Sequence, residues 1–112
     1  MTETNLALFK GTVDLLILAA LGAREPLHGY GIAEWIERTT GGALLLEEGT
    51  LYPALHRMRR QGLVAAEWGT SENNRRARFY RLTKKGRARR AAGAAEWNRY
   101  ATAVAAALGA GG

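Results

Sequence analysis

The side chains best equipped for chemistry in this sequence are arginines, and they are concentrated. Residues 57–90 hold twelve Lys or Arg against only Glu67 and Glu72, whereas residues 1–56 carry a net charge of −4. A polycationic stretch beside an acidic body suits the phosphate backbone of a nucleic acid, because each neutralised phosphate releases condensed counterions. A merely solvated basic surface is the alternative that charge alone leaves open. Catalytic chemistry finds little support. There is no cysteine, no glycine-rich phosphate loop, and the two histidines, His28 and His56, fall in different elements without metal-ligand spacing. Glu47 and Glu48 are adjacent acids ahead of a helix and read as complements to its dipole, not as an acid/base pair. No enzyme activity, cofactor or metal is expected.

A helix that reads DNA needs one apolar face on the core and one polar face that reaches base edges and phosphates. Residues 50–62 supply both. Leu51, Leu55, Met58 and Gly62 follow helical spacing toward the core, with Thr50 as the N-cap and Pro53 in the first turn. The opposite face then carries Tyr52, Pro53, His56, Arg57 and Arg60. Arg57 and Arg60 can each pair bidentately with guanine or neutralise a phosphate, while Thr50 and Tyr52 can donate hydroxyls to phosphate oxygens. Tyr52 would serve equally well as a cap on the edge of the core, and His56 as a plain exposed histidine. Further along, Asn73, Asn74, Arg75 and Arg76 form the tip of a turn-rich segment, where a wing can follow the backbone or enter the minor groove. Arg78 belongs with them, although alternation of Arg78 and Arg81 with Phe79 and Leu82 also fits a solvated strand face.

The elements that must position these groups follow from periodicity. Lys10–Leu21 is apolar on nearly every side and suits a buried central helix, stopped by Gly22 and Pro26. Tyr30–Thr39 is amphipathic, with Ile32, Ala33 and Ile36 on one face, and Gly41-Gly42 ends it. Leu63–Trp68 and Arg78–Leu82 alternate like strands and read as a hairpin. Thr83 caps a last helix from Lys84 to about Leu108, and the terminal GAGG frays. The predicted fold is mainly α with a small β-hairpin: a winged helix-turn-helix over residues 1–83, followed by a C-terminal dimerisation helix and tail over 84–112. At 112 residues the chain has room for one core and one appended element. Ala94, Trp97, Ala101, Val104 and Leu108 recur at spacings of three and four, a seam that calls for a partner helix or for the same subunit's first helix. No apolar run is long enough to span a membrane, and MTETNLALFK has no basic region ahead of its apolar residues, so a cytoplasmic protein is expected.

Three blocks make the sequence recognisable: LHGYGI at 27–32, EEGTLYPALHRMRRQGLV at 47–64 and RFYRLTKKGR at 78–87. In order and spacing they resemble the PadR family of winged-helix regulators over roughly residues 8–90, and WGTSENNRRARFY resembles the wing of a short-form branch. Arg59 departs from the pattern, since many members carry Glu there. The resemblance implies transcriptional control, usually repression, at an inverted-repeat double-stranded DNA operator, by a homodimer joined through the C-terminal helix. It also implies a role for Trp97 at the dimer centre, either as an interface anchor or as a surface on which a small hydrophobic effector stacks. The rival class is an architectural or RNA-directed binder built on the same winged helix.

Overall fold

The computed structural model describes residues 11–109, so Lys10, the N-terminal leader question and residues 110–112 of the expected frayed tail lie outside it. The chain runs α1 (Thr12–Ala23), β1 (Leu27–His28), α2 (Gly29–Thr39), α3 (Glu48–Arg60), β2 (Val64–Thr70), β3 (Arg76–Leu82) and α4 (Lys84–Gly109). Helix α1 sits at the centre because its sequence, TVDLLILAALGA, offers no polar face wide enough for solvent. Ile17, Leu18, Ala20 and Leu21 are buried, and α2, α3, β3 and α4 all pack around it. Gly22 does not stop this helix, which continues to Ala23 before Arg24 closes it with a hydrogen bond to the Ala20 carbonyl.

Helix α2 buries Ile32 and Ile36 and starts at a side-chain cap, the His28 imidazole Nδ1 accepting the Gly31 N–H at 2.9 Å. Its end is closed by the Gly42 N–H donating to the Glu37 carbonyl at 2.8 Å and the Gly41 N–H to that of Arg38 at 3.2 Å. Helix α3 begins earlier than the sequence suggests. Glu47, in extended conformation, occupies the N-cap position, and its carbonyl accepts from both Thr50 and Leu51. Thr50 is therefore a residue of the first turn, and Pro53 lies inside the helix on its exposed side, where solvent reaches the carbonyl it leaves unpaired. Gly62 is likewise exposed and not part of the core face. With φ of 79° it ends α3 in the left-handed region, letting the Leu63 N–H reach back to the Met58 carbonyl at 2.9 Å.

The hairpin is longer than expected and belongs to a three-stranded antiparallel sheet of order β1-β3-β2. In the β2–β3 register Val64 faces Leu82, Ala66 faces Tyr80, Trp68 faces Arg78 and Thr70 faces Arg76. Alternation puts these eight side chains on one face. At its base Val64, Tyr80 and Leu82 are buried in the core, and the distal end extends past it. The fold is thus a four-helix winged helix with a small sheet.

Helix α4 starts against the sheet without a linker. Thr83 Oγ1 donates to the Gly62 carbonyl at 2.6 Å and accepts from the Gly86 N–H at 3.0 Å, which makes Thr83 the cap the sequence suggests. Gly86 lies so close to the Leu63 carbonyl that a Cβ there would overlap it. Farther on, Arg90 crosses Gly22 of α1 and Gly93 meets Leu15, after which the helix leaves the body. Replacing Gly86 with Ala should destabilise the fold by about 1–3 kcal/mol, since backbone must move to admit the methyl. Gly49→Ala, a helical position with open space around it, should instead be neutral or stabilise by up to about 1 kcal/mol. Urea unfolding of the two variants at equal protein concentration measures both.

Candidate nucleic-acid interface

The outward side of α3, the N-terminus of α2 and the distal hairpin meet around one open cleft of about 480 Å³, whose walls include Gly29, Tyr30, Tyr52, Arg75, Arg76 and Arg78. Tyr52 is its hinge point. The ring lies over Gly29, where a Cβ would approach Tyr52 Cζ to 2.6 Å, so any side chain there would displace the ring. Burial, with smaller contributions from Glu48 and Tyr80, raises the phenol above its ordinary pKa of 10. At neutral pH Tyr52 is therefore a hydroxyl donor. It fits both sequence readings at once, resting on the core edge while 44% of it stays exposed.

The arginines divide sharply by partner. Arg57 does not share the outward face with Arg60: it turns to α1 and forms an ion pair with Asp14, 43 positions away in sequence. Helical spacing assigns it to the polar side, but a half-buried carboxylate on the neighbouring helix captures it. Arg81 pairs with Glu67 at 3.9 Å on the far face of the hairpin, and Arg87 with Glu25. Lys85 donates to the Gln61 carbonyl at 2.9 Å. His56, Arg59 and Arg60 on α3 are exposed, and among the described residues no ion pair involves Arg60, Arg75, Arg76 or Arg78. Of these, Arg75, Arg76 and Arg78 line the cleft.

The hairpin tip is a closed turn. Asn74 takes φ of 60°, its N–H donates to the Ser71 carbonyl at 2.9 Å, and the Ser71 N–H donates to that of Arg75 at 2.8 Å. Behind the tip, sequence reasoning missed Trp68. It is 57% exposed, with the guanidinium carbons of Arg76 and Arg78 at 4.7 and 5.4 Å from its ring centroid. The signal was available only through the cross-strand register that sets Trp68 opposite Arg78. On the far side of the molecule, Trp97 and Tyr100 of α4 join Asp14, Leu15, Leu18 and Gly93 around a second cleft of about 650 Å³ between α1 and α4. Ala94 and Ala101 are half-buried, while Val104 and Leu108 are exposed. Among the described residues there is no cluster of His, Cys, Asp and Glu that could hold a metal, and no helix long and apolar enough to cross a membrane.

A winged helix with a long helix appended to its sheet defines a class of DNA-binding fold. Residues 17–92 match the transcriptional regulator PadR-like family, and the chain belongs to that family, one of regulators and not of enzymes. Among solved structures it resembles a transcriptional regulator from Clostridium thermocellum, with 28% identity and a TM-score of 0.75 over 85% of this chain and 88% of that one. A PadR family transcriptional regulator from Eggerthella lenta is 30% identical, with a TM-score of 0.72 over 89% and 84% of the two chains. An uncharacterized protein of Lysinibacillus sphaericus is 26% identical over 81 residues, 72% of this chain and 73% of that protein.

The joint behind this interface titrates. Burial works to raise the Glu25 pKa, but hydrogen bonds from the Leu82 N–H at 2.7 Å and from Arg87, with the charges of Arg87 and Arg81, outweigh it and hold the carboxyl below 4.5. A carboxylate whose pKa falls on folding contributes stability above its unfolded value, lost as pH drops through the folded one. Glu25→Gln should therefore cost about 1 kcal/mol at pH 7, limited because Arg87 is largely in water. The gap from the parent protein should close as pH falls below 4.5, as thermal unfolding across pH would record.

Proposed function

We propose that the chain is a sequence-specific transcriptional repressor that binds an inverted-repeat operator as a homodimer, with α3 in the major groove and the hairpin along the adjoining backbone. The observation that carries this is convergence: Arg75, Arg76 and Arg78, none of them in an ion pair among the described residues, meet Tyr52 of α3 and the start of α2 around one open cleft. Arg60 and His56 are the base-reading side chains, with Thr50, Tyr52 and Pro53 at the start of α3 against the backbone. Asn74, Arg75, Arg76 and Arg78 make the flanking phosphate contacts. Arg57 acts from behind, fixing α3 to α1 through Asp14. The dimer forms along Ala94, Trp97, Ala101, Val104 and Leu108, because the exposed half of that seam has nothing to cover it within one subunit. A small hydrophobic effector, on this proposal, enters the cleft beside Trp97.

Two measurements test it. Sedimentation should give twice the 12.2 kDa chain mass, and Val104→Asp should give monomer. A stable parent monomer that binds an inverted repeat at full affinity would sink the dimer. Selection from a random duplex pool should recover an inverted repeat bound at least about 10³-fold more tightly than random DNA, whereas an architectural protein would enrich nothing. On that repeat Arg60→Ala should cost about 1–3 kcal/mol and relax preference at one base position. An equal loss on every sequence would reassign Arg60 to phosphate.

A further inference from the structure

Two like-charged head groups do not gather against one ring without cause. Arg76 and Arg78 stand two positions apart on β3, so their side chains emerge on the same face, opposite Thr70 and Trp68 of β2. In water, separate excursions of two long side chains would lower their mutual repulsion and keep their rotamer freedom. Here both guanidinium carbons lie within 6 Å of the indole centroid, the range over which the negative face of a tryptophan attracts a cation. No carboxylate among the described residues shares the task, since Glu67 on the same strand lies on the other face and pairs with Arg81. Arg78 Nε is enclosed and makes no hydrogen bond, so the ring is what holds its head group. Both arginines line the cleft beside Tyr52 and the first residues of α2. Trp68 meanwhile lies beyond the buried base of the hairpin and is more than half exposed, a poor position for a residue kept for core packing.

We propose that Trp68 is a positioning residue whose ring holds Arg76 and Arg78 as one preorganised seat for a backbone phosphate of DNA, with the Tyr52 hydroxyl as its third donor. The inference rests on the DNA-binding function proposed above. A cation held against the ring keeps terminal Nη–H groups for a phosphate oxygen, even where, as in Arg78, Nε is enclosed. Held in place beforehand, the pair loses little freedom when the phosphate arrives, and the anion relieves the repulsion between them.

The test is a double-mutant cycle on a random-sequence duplex and on the selected operator, at fixed salt. Trp68→Ala should weaken binding to both by about 5- to 30-fold, the worth of two exposed cation–π contacts, although no formal charge is lost. Trp68→Phe should restore most of the affinity and Trp68→Leu should not, separating the ring's electrostatics from its bulk. In an Arg76→Ala/Arg78→Ala background, Trp68→Ala should change binding less than about twofold, because nothing remains to be positioned. Thermal unfolding should be nearly the same for all of these variants. A full Trp68→Ala effect in the arginine-free background overturns the proposal in favour of direct contact between the indole and DNA. Arginine variants that bind as the parent does overturn it together with the placement of the wing on DNA, while leaving the role of α3 intact.

Discussion

The structure depends on the need to cover α1 from every direction. A helix that is apolar around its circumference cannot lie on a surface, and in a chain of this size it can be enclosed only if each remaining element contributes a wall. Helices α2 and α3 take two sides, the sheet a third, and the first half of α4 the last. The cost is that no wall is independent. Asp14 on α1 anchors Arg57 of α3, Gly22 on α1 receives Arg90 of α4, and Leu15 meets Gly93. Elements that would contact DNA and the element that would contact a partner subunit lean on the same twelve-residue rod.

Charge pairing then removes some arginines from those open to an external anion. A net charge of +6 could be spread evenly, and it is not. Glu25, Glu67 and Asp14 each hold one arginine of the basic segment. Arg75, Arg76 and Arg78 take part in no ion pair among the described residues and line the cleft where the hairpin, Tyr52 of α3 and the start of α2 converge. His28 caps α2 with its imidazole while its ring lies 5.2 Å from that of Phe79, closing the seam between helix and sheet at the edge of the same cleft.

Much of this was legible beforehand, and the exceptions have physical causes. The helices and the hairpin followed from apolar periods of 3.6 and 2, which report local burial directly. Strand β1 escaped because two residues carry no period; Leu27 and His28 are extended only because β3 offers them an edge. Thr50 has the chemistry of a cap, but the helix starts where Glu47 turns extended, and Glu48 complements the dipole one turn sooner. The ion pair of Arg57 lay outside a helical wheel, which knows nothing of a carboxylate on another helix. Trp68 was invisible as a partner for arginine until the turn at 71–75 set which residues of two strands stand opposite. Contacts distant in sequence lay beyond reach, and contacts along one element did not.

The junction between β3 and α4 has a consequence of scale. Thr83 is at once the end of the sheet and the cap of α4, and Gly86 seats that helix on the backbone of Leu63 with no flexible residues between. A hinge there would let two paired subunits open and close like callipers. A close-packed joint resists that motion, so in a dimer paired through α4 it would restrain the separation of the two α3 helices. On the proposed function such a dimer would act as a gauge: it would measure the number of base pairs between half-sites, and a spacer altered by one base pair, turning one half-site by roughly a tenth of the helical repeat, would have to be met by bending the DNA.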